Sequence, residues 1–152
     1  MCRNYLTQLR ERVEEFDKRN IQLVVIAPSK GSFISQFLDE FGPFPFPIYG
    51  DPSREGYKQA GTVTMPKWKL LGKALFGFVT GKVKNFMPDE QGQKKFVQKS
   101  MKTQDVYIQG ATFLFNEKGK SVWKHIDQSP EDHASIDTLL EKIDTKLYKP
   151  VS

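Results

Sequence analysis

The chain has 152 residues, 38% of them hydrophobic and twelve of them phenylalanine, which is enough for one cored domain and excludes a disordered chain. No apolar run approaches the roughly 18 residues of a membrane span, and the charged residues 1–16 do not read as a signal peptide. The net charge of +5 is local: residues 61–102 hold nine lysines against Asp89 and Glu90, +7, leaving −2 elsewhere, which argues against a nucleic-acid-binding protein.

Taken in chain order, residues 4–18 are predicted to form a helix, because Leu6, Leu9, Val13 and Phe16 recur at spacings of three and four. The β-branched run IQLVVIAPS, residues 21–29, predicts a strand buried on both faces, as in a parallel sheet. A second helical stripe follows in Phe33, Ile34, Phe37, Leu38 and Phe41, with Gly42 as its stop. A short strand is expected near Phe46–Tyr49. Asp51 then offers an N-cap and Pro52 a first helical position, for a short helix ending at Gly61.

Residues 62–104 interrupt this order with a basic and aromatic insertion. Beyond it, Thr112–Phe115 and Ser121–Ile126 read as a hairpin around the turn NEKG. Ile136, Leu139, Leu140, Ile143 and Leu147 then mark a last helix. Alternating helices and strands followed by a hairpin predict an α/β fold in one domain spanning residues 1–152.

Chemistry is carried by few residues. Cys2 is the single cysteine, so it has no internal disulfide partner, and its solitude fits a reducing, cytoplasmic compartment. It stands at the head of the first helix, beside Arg3. The partly positive end of a helix and a neighbouring guanidinium both favour a thiolate. A thiolate attacks a peroxide oxygen or a disulfide sulfur. His125 and His133 with one cysteine are a poor metal set, so no metal is expected. His133, in PEDHAS, reads as a cap or turn residue, and His125 as a structural or exposed strand residue. GFVTGK, residues 77–82, fails the phosphate-loop spacing.

Residues 65–86 interleave aromatics with five lysines. Lys67, Trp68, Lys69, Lys73, Phe76 and Phe78 are its candidates for contact with an anionic membrane surface or a lipid substrate. The plainer reading packs the aromatics on the domain and leaves the lysines in water.

The order of elements and the segments LVVIAPS, IYGDPSREGYKQAG and QGATFLFNEKGK, behind a Cys-Arg pair at the helix head, resemble the peroxiredoxin-like branch of the alkyl hydroperoxide reductase/thiol-specific antioxidant (AhpC/TSA) family. The resemblance implies a thioredoxin-like, three-layer α/β sandwich of the peroxiredoxin type. It also implies a first strand, and a first cysteine two residues before Met1, that this sequence lacks; the expectation is a truncated chain. The implied activity is thiol-dependent reduction of hydrogen peroxide or organic hydroperoxides, lipid ones included. Cys2 and Arg3 would be catalytic, with Gly110, Ala111 and Thr112 lining the site. The implied partners are a peroxide and an external thiol reductant of the thioredoxin or glutathione type, with no cofactor and no nucleic acid. The alternative from another class is a non-catalytic or degenerate thioredoxin-like module that binds a partner or an anionic membrane through residues 65–86.

Overall fold

The structure, a computed structural model, describes residues 3–62, 91–93, 95, 109–129 and 131–148. Its contacts divide the chain into two units, residues 1–24 with 109–152, and residues 25–108.

In the first unit, helices α1 (Arg3–Glu11) and α2 (Val13–Asp17) stand where one helix was expected. The break is at Arg12, whose backbone leaves the helical basin with φ −116° and ψ 18°. The guanidinium of Arg12 is engaged there by Glu15 and by Asp137, each at 2.6 Å. The apolar stripe survives the break, since Leu6, Leu9 and Phe16 are buried. Asn20 takes a left-handed conformation, φ 53°, that turns the chain out of the helical pair.

Strands β3 (Ala111–Phe115) and β4 (Ser121–Ile126) form the expected antiparallel hairpin, from Ala111 opposite Ile126 to Phe115 opposite Ser121. A bulge falls between Leu114 and Phe115. In the turn, the Asn116 side-chain oxygen accepts from the backbone N–H groups of Lys118 and Lys120. Gly119 supplies the positive φ of 72° that closes it. The last helix, α5 (Ile136–Lys146), begins at Ser135, whose hydroxyl accepts the Thr138 N–H. Ile136, Leu139, Leu140 and Ile143 are buried along it, as their spacing requires. Arg12 pairs with Asp137 and Arg19 with Asp144, so two guanidinium groups of the N-terminal segment hold α5.

In the second unit, strands β1 (Val25–Ala27) and β2 (Ile48–Gly50) pair in parallel. β1 is shorter than the nine-residue run that suggested it. It is also one-sided: Ala27 is buried, while Val24 is 50% and Ile26 53% exposed. The expectation of a strand covered on both faces therefore does not hold. Ile26 lies beside Tyr49, also exposed, across the pair.

Helix α3 (Gly31–Phe41) buries Ile34 and Phe37, and Gly42 caps it. Helix α4 (Glu55–Gln59) starts three residues later than Pro52 suggested, because Pro52 and Ser53 form a turn and Arg54 takes φ 59° before the helix begins. Asp51 still caps it from a distance. Its carboxylate accepts N–H groups of Glu55 at 3.2 Å and Gly56 at 2.9 Å, and the Ser53 hydroxyl at 2.9 Å. Burial pushes the Asp51 carboxyl up, but those bonds outweigh it and hold the group below its ordinary range.

Among the described residues, no helix is long and apolar enough to cross a membrane.

Candidate functional site

In the described part of the first unit, Tyr5, Asp127 and His133 come together where three elements meet: the first turn of α1, the start of β3, and the loop between β4 and α5. The hairpin ladder runs one pair further than its strands, since the Asp127 N–H donates to the Gly110 carbonyl at 3.0 Å. The Gln109 amide donates back to the Asp127 carbonyl at 3.0 Å. These bonds fix the backbone of Asp127 and turn its side chain over the bare Cα of Gly110. A Cβ on residue 110 would lie against Asp127 Oδ2 closer than real side chains come. Glycine is needed there because a carboxylate occupies the space a side chain would fill.

Asp127 is 2% exposed, which is unusual for a carboxylate. Its Oδ2 meets Nδ1 of His133 at 2.5 Å. Its Oδ1 is buried with no hydrogen-bond partner among the described residues, and Nε2 of His125 lies 3.7 Å from it. That nitrogen is already committed, donating to the Asp132 carbonyl at 2.7 Å. Asp132 in turn caps the loop, its carboxylate accepting the Gln128 N–H at 2.8 Å. A buried carboxylate needs a compensating charge or hydrogen bond, and His133 supplies it.

Tyr5 closes the cluster from α1. Its ring lies 4.8 Å from that of His133, and its hydroxyl donates to the Ala134 carbonyl at 2.7 Å. Burial pushes the Tyr5 phenol up to about 12; a hydrogen bond with the Thr112 hydroxyl opposes this, and the charge of Asp127 adds to it. Tyr5 therefore stays a neutral donor at every physiological pH.

Of the residues selected from the sequence, Gly110 stands immediately before β3, and Ala111 and Thr112 lie within it. Gly110 borders Asp127 and His133, and Thr112 bonds Tyr5. Arg3 opens α1 and is half-buried, and its carbonyl accepts the Thr7 hydroxyl at 3.2 Å. Cys2 lies outside the described residues, as do Lys67, Trp68, Lys69, Lys73, Phe76, Phe78 and the rest of residues 65–86.

Asp127, His133 and Tyr5 were not selected from the sequence. The signal for the first two was present: HIDQSPEDH places two histidines and three acids within nine residues. Read as a local turn, it gave no hint that Asp127 folds back onto Gly110. Tyr5 carried no signal, since a lone tyrosine on the first turn of a helix is ordinary. Among the described residues, no three His, Cys, Asp or Glu side chains are grouped to hold a metal ion.

The family described as AhpC/TSA antioxidant enzyme matches the chain over residues 8–129. That span includes Gly110, Ala111, Thr112 and Asp127, and leaves Cys2, Arg3 and His133 outside it. No curated protein matches the chain.

Proposed function

Because the chain belongs to the AhpC/TSA antioxidant enzyme family, we propose that it is a thiol-dependent oxidoreductase that reduces hydrogen peroxide or organic hydroperoxides, lipid hydroperoxides among them, through Cys2. The family match over residues 8–129 is the observation that carries this reading. It brings with it a thioredoxin-like fold, a peroxide substrate and a thiol reductant as the general partners.

In this reading Arg3 and the start of α1 favour the thiolate form of Cys2. The thiolate attacks one peroxide oxygen. The S–O bond forms as the O–O bond breaks, and the other oxygen leaves as water or an alcohol once it takes up a proton. The sulfur is oxidised to a sulfenic acid and the peroxide is reduced. The chain has no second cysteine, so an external thiol of the glutathione or thioredoxin type condenses with the sulfenic acid, releasing water and leaving a mixed disulfide. A second external thiol then frees Cys2. The single cysteine suits a reducing compartment, and we place the activity in the cytoplasm.

The test is peroxide consumption by the full chain with glutathione or a thioredoxin system, using hydrogen peroxide and an organic hydroperoxide in parallel. Cys2→Ser should abolish turnover, and a sulfenic-acid trap should label Cys2 of the unsubstituted chain. Undiminished turnover by Cys2→Ser would refute the assignment.

A further inference from the structure

We propose that the tip of the β3–β4 hairpin docks on an anionic lipid bilayer, with Phe115 as the inserted side chain and Lys118, Lys120 and Lys124 as its contacts to the headgroups.

The two faces of the hairpin differ. One is turned inward, since Leu114 is buried and Thr112 bonds Tyr5 of α1. Side chains alternate along a strand, so Ala111, Phe113 and Phe115 share the other face. There the rings of Phe113 and Phe115 stack, with centroids 6.1 Å apart and an interplanar angle of 22°. Phe113 is half-buried, but Phe115, next to the turn, is 54% exposed. The ring is steadied from one side and bare to water at the end of the ribbon.

The charge around it has mainly one sign. Residues 115–124 hold Lys118, Lys120 and Lys124 against Glu117, a net +2. Lys124 stands opposite Phe113 in the ladder, on the same face as the two rings. All three lysines are exposed, and among the described residues none of them forms an ion pair. Lysine stems lie along apolar surface while their ammonium groups stay in water. An anionic bilayer matches both parts: its headgroups take the ammonium groups, and its acyl boundary takes the ring. A nucleic acid offers phosphates too, but it uses aromatic rings as open stacking platforms, and Phe113 already stacks on Phe115.

The tip is formed in advance. Asn116 Oδ1 accepts the N–H groups of Lys118 and Lys120, and the Gly119 N–H donates to the Asn116 carbonyl at 2.9 Å. Docking therefore has little chain left to order.

The experiment is sedimentation of the full chain with sucrose-loaded phosphatidylcholine vesicles containing about one-third phosphatidylserine. Binding is expected to these vesicles and not to pure phosphatidylcholine, and it should weaken as salt rises. Each lysine strengthens binding to such a surface about fivefold, so Lys118→Gln, Lys120→Gln and Lys124→Gln together should weaken it by about a hundredfold. Phe115→Ser should weaken it by about tenfold. A polarity-sensitive dye on Glu117→Cys, in a chain that also carries Cys2→Ser, should brighten and shift to the blue on the anionic vesicles only.

Unchanged binding by the triple lysine variant would overturn the proposal. So would binding that disappears when Lys67, Lys69 and Lys73 become Glu while the dye at residue 117 reports no change. Failure to bind the anionic vesicles, or tighter binding to a single-stranded RNA, refutes it as well. If Phe115→Ser does not fold, the lysine variant and the dye still decide. No turnover is measured, so the outcome is separate from the peroxide reading of Cys2.

Discussion

Replacing Gly110 by alanine tests the geometry on which the site depends. The new methyl group would press on Asp127 Oδ2 and sit 3.2 Å from its Cγ and 3.8 Å from His133 Cε1. The carboxylate has no easy retreat, because its side chain is 3% exposed and pinned at 2.5 Å to His133. The backbone on either side is held by the Gly110–Asp127 and Gln109–Asp127 bonds. Either β3 shifts, which costs about 1–3 kcal/mol as an overpacked core does, or the carboxylate swings away and leaves a buried group unpaired at about 3–5 kcal/mol. The cheaper route sets the expectation: a loss of about 2–3 kcal/mol. Urea unfolding followed by tryptophan fluorescence measures it. Gly31→Ala is the matched control, since nothing lies within 4 Å of its Cβ position at the start of α3. That substitution should be neutral or gain up to about 1 kcal/mol. A Gly110→Ala protein within about 0.5 kcal/mol of the unsubstituted chain would show that the carboxylate does not occupy the space described.

Two further outcomes follow from the titrating groups. The folded chain holds the Tyr5 proton to about 12 while the unfolded chain releases it near 10, so this contribution is complete below pH 10 and is lost as pH rises toward 12. It amounts to at most about 2–3 kcal/mol. Tyr5→Phe should cost about 1 kcal/mol at neutral pH through its lost hydrogen bonds, and should flatten the alkaline decline in urea midpoint. A decline as steep as before would exclude Tyr5 as its source. At the acid end, Glu15 is held below its ordinary range by Arg12, and Asp144 by Arg19. Their contribution is complete above pH 4.5 and is lost as pH falls through the lowered values. Urea midpoints measured from pH 6 downward should fall in that window, and Arg19→Gln should reduce the fall; an unchanged slope would mean that the Arg19–Asp144 bridge does not persist in solution.

The elements that were legible in the sequence are those whose signal is local. α5 carries its stripe and its Ser135 cap within twelve residues, and the hairpin carries its turn between two β-rich runs. The errors arose where a remote partner decides. Arg12 falls inside the single helix expected over residues 4–18; in the fold its guanidinium reaches Asp137, 125 residues away, and the helix breaks there. Asp51 and Pro52 looked like the start of a helix, yet the same carboxylate reaches over a turn to cap it four and five residues on. For β1, the run of branched residues is the same whether one face or two are covered, so sequence alone could not separate those cases.

The site divides in the same way, and the division bears on how this chain should be understood. A cysteine beside an arginine at a helix head is visible because the chemistry is written in adjacent residues. The described cluster is not: Gly110, Asp127, His133 and Tyr5 are scattered over 129 residues, and only folding makes them neighbours. Gly110 shows the difference most plainly. The family resemblance implied that it lines the thiol site, yet what excludes a side chain at that position is the carboxylate of Asp127. A buried carboxylate needs a partner to offset its desolvation, and the imidazole of His133 supplies it. Its charge is felt on α1, where it adds to the burial that holds the Tyr5 phenol up at about 12.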